Sequence, residues 1–290
     1  MIELTEYSDG GVPSLKISGV DNFDAYRTFD CGQCFRFEND DGTITGVYGD
    51  SLIRIRQSGD TLYLIGATAA DYEEKWRKFL DLDEDYAAIC DDICTRFGTY
   101  NRTIYDATTS AHGIRILRQD RWEALISFII SQNNNIPRIK KIIDAMCRGI
   151  GVEKTAYGVT YYTFPTAQAI YDAGIDRLNE FRMGFRSKYL YDAARRVLCG
   201  EISLDDADKM DYAAAEEYMM RICGVGKKVA ACTLLYGFHK TEAFPVDVWI
   251  KRVLEKYYPD GIDMTALGPY AGIAQQYLFC YERYINEMRK

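Results

Sequence analysis

The chain has 290 residues, 48% hydrophobic and 27% charged, the balance of a globular protein of one or two domains rather than of a disordered or fibrous chain. Its formal net charge of −8 argues at first against a nucleic-acid ligand, because neutralising phosphates takes Lys and Arg. The opening MIELTEYSDG has neither a basic stretch nor an apolar run, and no apolar segment approaches the roughly 18 residues of a membrane span, so the sequence reads as soluble, neither secreted nor membrane-bound.

From about Lys16 to Gly66 short strands are broken by turn signals, Asn39–Asp40–Asp41–Gly42, Tyr48–Gly49–Asp50 and Ser58–Gly59–Asp60. Recurring about every ten residues, they predict an antiparallel meander. Within it Leu52–Ile53–Arg54–Ile55–Arg56 alternates apolar and charged, the pattern of a half-buried strand. From Ala70 the period becomes helical, with Tyr72, Trp76, Phe79 and Leu80 on one face. An α+β domain is therefore expected over residues 1–115 and an almost wholly helical one over 116–290. After Asp120, placed as an N-cap, helices are predicted at Arg121–Ser131, Pro137–Arg148, Lys188–Leu198, Tyr212–Ile222, Lys227–Phe238, Asp247–Tyr257 and from about Pro269 onward. No Pro- or Ser-rich linker separates the parts, which predicts two packed lobes.

Nine cysteines are an odd number and sit mostly in apolar patterns, which implies a reducing, intracellular compartment. Cys31 and Cys34 have the spacing of a zinc half-site, but no second pair follows, and His112 and His239 lie far apart. They are read as free thiols, with no metal expected. Basic residues gather locally at Arg138–Ile139–Lys140–Lys141, Arg186–Ser187–Lys188, Lys227–Lys228 and Lys251–Arg252. Each cluster alone is an ordinary solvated helix face; brought onto one side of the fold they would offset the acidic average.

The most informative segment is Arg221 to Ala230, where Gly224–Val225–Gly226 lies between two helical patterns. Two glycines one residue apart make a turn that turns backbone N–H groups outward beside a helix N-terminus, suited to one phosphate. On its own such a turn is also a plain helical hairpin. Nineteen residues beyond Lys228 stands Asp247, closing Phe244–Pro245–Val246–Asp247 before another helix. Together GVGKKVA and FPVDVWIKRV resemble the helix-hairpin-helix and Gly/Pro–Asp signature of the base-excision DNA glycosylase superfamily. The resemblance makes Lys228 the nucleophile and Asp247 the catalytic carboxylate. An amine attacks the electron-poor sugar carbon as a base departs, giving a Schiff base. The carboxylate suits an oxocarbenium-like transition state, and Asp247 is also a natural N-cap.

Four further segments resemble the 8-oxoguanine DNA glycosylase family: Thr28–Arg36 (TFDCGQCFR), Ile116–Asp120 (ILRQD), Ser131–Arg138 (SQNNNIPR) and Gly268–Phe279 (GPYAGIAQQYLF). The resemblance implies a TATA-binding-protein-like amino-terminal sheet, then a helical glycosylase domain that flips 8-oxoguanine, preferably opposite cytosine, from duplex DNA, excises it and nicks the strand. It implies that the backbone at Gly32 reads the lesion's imidazole edge, that Gln275 reads its pairing edge, and that Phe279 and Cys232 pack on its two faces. Asn133 would fill the vacated stack, Arg138 and Arg186 would bond the orphaned cytosine, Phe185 would wedge, and Gly224, Val225 and Gly226 would anchor a phosphate. Cys223 replaces a usual proline, and Trp249 a histidine often placed near a phosphate. Cys280 is the sole cysteine after Asp247, so the four-cysteine cluster of related branches cannot form there and no cofactor is expected. A monomer is expected, in cytoplasm or nucleus. A glycosylase for another damaged base and a non-catalytic DNA anchor are the alternatives.

Overall fold

The computed structural model describes residues 2–97, 102–263 and 266–288. Strands β1 (Glu3–Asp9), β2 (Val12–Ser18), β3 (Phe37–Asp40), β4 (Thr43–Tyr48), β5 (Ser51–Ser58) and β6 (Thr61–Ile65) form one antiparallel sheet in the order β1-β2-β6-β5-β4-β3. The run from β3 to β6 is the predicted meander. The β1–β2 hairpin lies before its expected start, because β1 buries little and carries no alternation to read. Helix α1 (Ala25–Asp30) interrupts the strands, capped by Asp24.

One face of the sheet is dry. Leu15, Ile17, Ile53, Ile55, Leu62 and Leu64 are fully buried beneath the helical stretch formed by α2 (Ala69–Asp71), a π-helical turn Tyr72–Trp76, and α3 (Arg77–Phe79). Tyr72, Trp76, Phe79 and Leu80 all face inward, as their spacing predicts, and Phe79 stacks on Tyr48 with centroids 4.2 Å apart.

The remaining helices are α4 (Tyr86–Phe97), α5 (Arg102–Ser110), α6 (Arg121–Ser131), α7 (Ile136–Ile150), α8 (Ala167–Glu180), α9 (Ser187–Leu198), α10 (Leu204–Lys209), α11 (Tyr212–Met219), α12 (Lys227–Phe238), α13 (Val248–Tyr257) and α14 (Ala271–Met288). Two of them, α6 and α12, form the centre. Both are apolar nearly all round, the mark of a helix buried on every side, and Phe128 of one stacks on Tyr236 of the other at 5.2 Å. Between the predicted helices that end at Arg148 and resume at Lys188, in a half expected to be almost wholly helical, β7 (Glu153–Ala156) and β8 (Val159–Tyr162) form a hairpin. α8, broken at Gly174, and α10 are two helices the sequence reading passed over. Helices α4 and α5, assigned from sequence to the first domain, bury Tyr86, Ile89, Ile104 and Ala107 in the helical core.

The lobes are joined by polar bonds along 115–119. Gln33, fully buried, donates to the carbonyls of Thr28 and Arg115, each at 2.8 Å, and accepts from the Leu117 amide at 2.8 Å. Gln119 donates through its side chain to the Gln33 carbonyl and through its backbone to that of Tyr236 in α12. Just past the same end of α12, His239 meets the buried Asp81 at 3.1 Å, and Arg118 and Tyr86 donate to the same carboxylate. The carboxy-terminal end of α12 is thus fixed relative to the sheet lobe.

Candidate active site

The glycine turn has the geometry its sequence requires. Gly224 adopts φ +81°, and a Cβ there would lie 2.4 Å from the ring of Tyr189, so only glycine fits. Gly226 is the N-cap of α12 and supplies no side-chain cap, which leaves the first amides of the helix open to a ligand. Cys223, in the place of the usual proline, donates its N–H to Asp192 at 2.9 Å. A proline has no such donor, so the departure supplies the turn with its own restraint.

Starting a helix at Lys227 sorts the two lysines. Lys227 is exposed, whereas Lys228 is half-buried and points inward. Its Nζ donates to Ser131 Oγ at 3.3 Å and lies 5.4 Å from the centre of the Phe128 ring. Cys232, one turn on, is buried beside it; burial pushes the thiol up, against the pull of the Lys228 charge. Asp247 is the N-cap of α13, its Oδ1 accepting from the Ile250 amide at 2.8 Å. The N-cap reading therefore holds, and the carboxylate still lines the same cavity as Lys228.

That cavity has a volume of about 1090 Å³ and brings together Gly32, Lys228, Cys232, Asp247, Gln275 and Phe279, drawn from residue positions almost 250 apart. Gly32 has φ +79°, and a Cβ on it would reach Ile136 at 3.3 Å and Phe279 at 3.9 Å. Gln275 is 5% exposed, and its Oε1 is buried with no hydrogen-bond partner. Its neighbour Gln276 is fully engaged, accepting from Tyr236 and donating to the Cys31 carbonyl at 3.0 Å. One glutamine of the pair is committed to the wall, and the other leaves an unpartnered oxygen at the cavity. Cys31 and Cys34 are buried free thiols.

The residues expected to handle the duplex lie on a second surface. Asn133 is exposed with φ +46°, and Phe185 is exposed with Arg186 stacked on its ring at 4.4 Å. Arg138, expected from the sequence on a loop after the Asn133–Asn135 break, is instead exposed in the first turn of α7 and donates to the Arg182 carbonyl at 3.4 Å. Arg186 departs further from expectation. It is 3% exposed, in a 3-10 turn, and donates to the carbonyls of Gln132, Asn133 and Met183. Burial and the nearby Arg138 charge lower its pKa. Of the basic clusters, Lys140 pairs with Glu38 and Lys251 with Glu255. Arg138, Lys141, Lys188, Lys227 and Arg252 have no ion pair among the described residues.

Sequence reasoning missed Ser131 and Phe128, which hold the lysine, and Gln33 and Gln276, which hold the Gly32 loop. Ser131, Gln33 and Gln276 stand inside the segments that carried the resemblance, but nothing local separates a supporting amide from a recognising one.

Two family matches divide most of the chain: residues 15–125 match "8-oxoguanine DNA glycosylase, N-terminal domain", and residues 126–263 match "HhH-GPD superfamily base excision DNA repair protein". Among solved structures, one described as MBOgg1 in complex with a low affinity DNA ligand shares 35% identity over 98% of this chain and 99% of its own, with a TM-score of 0.90. The 8-oxoguanine glycosylase/lyase of Clostridium acetobutylicum, with dsDNA containing cytosine opposite 8-oxoG, shares 33% identity over 99% and 98%, with a TM-score of 0.89. The N-glycosylase/DNA lyase of Saccharomyces cerevisiae is 35% identical over 164 residues, 52% of this chain and 44% of its own. The chain spans about half the length of the first curated relatives it matches. It belongs to the 8-oxoguanine DNA glycosylase family of the HhH-GPD superfamily.

Proposed function

We propose that this chain excises 8-oxoguanine from duplex DNA and cuts the strand at the resulting site. The observation that carries the reading is the cavity in which an inward-pointing amine, a carboxylate and an unpartnered buried amide oxygen meet. A buried acceptor left without a donor is costly, and the pairing edge of a flipped purine supplies N–H donors for it. In the reaction the Lys228 amine forms a bond to the sugar C1′ as the glycosidic bond breaks, and its electron pair leaves with the base, which takes up a proton. Ring opening gives the Schiff base. Loss of a C2′ proton then expels the 3′ phosphate, and water releases the lysine. Asp247, beside the sugar, stabilises the positive charge that develops there.

Gly32 and Gln275 read the base between Phe279 and Cys232; the open amides at Gly224–Gly226 take one phosphate; Asn133 fills the vacated stack, Phe185 wedges the duplex, and Arg138 and Arg186 bond the orphaned cytosine. The division into 1–115 and 116–290 is our working boundary, since both lobes are sewn along the segment that follows it. We take the enzyme to act as a monomer, in cytoplasm or nucleus. None of the helices in the described residues is long and apolar enough to cross a membrane. Single-turnover excision on duplexes carrying 8-oxoguanine, an oxidised pyrimidine or an alkylated purine, each opposite every base, tests the reading. 8-Oxoguanine opposite cytosine should be cut fastest; faster cutting of another lesion would overturn it.

A further inference from the structure

Trp249 is the position at which this chain departs most visibly from the pattern it otherwise follows. It is 36% exposed, lines the cavity, and stands two residues after Asp247 in the first turn of α13. The Asp247 cap fixes that turn, so the indole and the carboxylate are set on the same short piece of backbone. The indole meets the ring of Phe279 edge to face, with centroids 6.5 Å apart and planes at 78°. The guanidinium of Arg252, without an ion pair among the described residues, lies over the same indole at 5.4 Å.

On its other flank Phe279 faces Gly32, which has no side chain to brace it. Phe279 is only half-buried and lines the cavity of about 1090 Å³, so its ring is not packed on every side. The indole edge is the aromatic contact that restrains it. We infer that Trp249 is a positioning residue for base recognition: braced by Arg252, it holds the Phe279 ring in the plane that stacks on a flipped purine, rather than serving as a contact to the DNA backbone.

This inference rests on the proposed activity. A histidine in this place would offer a phosphate a donor from a small ring. The tryptophan sets a larger ring edge to face with Phe279 and carries the Arg252 guanidinium over its own ring.

The test compares Trp249→Ala and Trp249→Phe with Trp249 intact, measuring equilibrium binding in the Lys228→Gln background to two duplexes, one carrying 8-oxoguanine and one a non-cleavable abasic-site analogue, and single-turnover excision with Lys228 present. An edge-to-face pair corresponds to roughly a 3- to 10-fold effect. Trp249→Ala should weaken binding to the lesion duplex by about that factor and leave the abasic duplex unchanged, and Trp249→Phe should restore most of the loss. A positioning role also predicts that saturating Trp249→Ala with lesion duplex recovers most of the excision rate. Equal weakening on both duplexes would mean a backbone contact, and no change on either would remove the residue from recognition; both overturn the inference. If the unaltered protein fails to excise 8-oxoguanine at all, the proposed activity falls instead, whatever Trp249 does.

Discussion

Around the cavity a polar atom stands uncommitted, while across the Asn133 loop the comparable groups are already taken. Gln275 keeps a buried Oε1 with no partner, whereas Arg186 donates to three backbone carbonyls of its own protein. Leaving an acceptor orphaned costs free energy, and this one lines the cavity that also holds Lys228 and Asp247, where a ligand's donor could satisfy it. A guanidinium satisfied by its own loop marks the opposite: to bond an orphaned cytosine it must first exchange partners. On the proposed reading, the cavity around Gln275 would receive the lesion as it stands, whereas the Arg186 side would have to exchange partners first.

The largest separation between the two regions should come from Gln275→Ala. Excision of 8-oxoguanine should fall by on the order of 30- to 100-fold, about 2–3 kcal/mol, while binding to an abasic analogue persists and the thermal midpoint does not fall, since the orphaned oxygen is removed with the side chain. A loss of stability matching the loss of activity would show Gln275 to be structural. Arg186→Ala should do what Gln275→Ala does not. The carbonyls of Gln132, Asn133 and Met183 lose their donor, lowering stability by about 1–3 kcal/mol, and the preference for cytosine over adenine opposite the lesion should shrink as well. Denaturant unfolding and single-turnover excision with each opposite base read the two effects separately. Arg138→Ala, at an exposed residue, should reduce the same preference by about 1–2 kcal/mol with no change in unfolding. If it slows both substrates equally, Arg138 only holds phosphate.

The smallest effect belongs to the joint between the lobes. Burial alone would raise the Asp81 carboxyl, but His239 and Arg118 hold it below the usual carboxylate range. A group whose pKa is depressed in the folded state contributes stability above its unfolded value, near pH 4, and that contribution is lost as pH falls through the lower folded value. Stability should therefore decline with acid below about pH 4, and Asp81→Asn should flatten that decline. An unchanged acid limb would show that the Asp81 cluster does not couple the lobes.

The same contrast explains what could be read from the sequence. Lys228, Asp247, Gly32, Gln275 and Phe279 were named from the sequence through the resemblance of their segments to the glycosylase family, and the structure brings them to one cavity; on spacing alone Gln275 and Phe279 read as ordinary core or surface residues. The helices around them were legible because caps such as Asp120 and Asp247 and the apolar spacing agree. The β7–β8 hairpin was not, since Glu153–Ala156 has no apolar alternation and pairs only locally. Nor was the burial of Arg186. Two of its three carbonyl partners, Gln132 and Asn133, lie more than 50 positions away in the chain, and an arginine satisfied by distant carbonyls looks in sequence like one exposed to solvent.

The central claim is that helix α12 begins where it does so that the second lysine of the pair, not the first, faces the sugar. Borohydride reduction on duplex containing 8-oxoguanine opposite cytosine captures the covalent intermediate directly. Trapping should vanish in Lys228→Gln and survive in Lys227→Gln, whose side chain points outward. Trapping that survives in Lys228→Gln and disappears in Lys227→Gln would contradict the account.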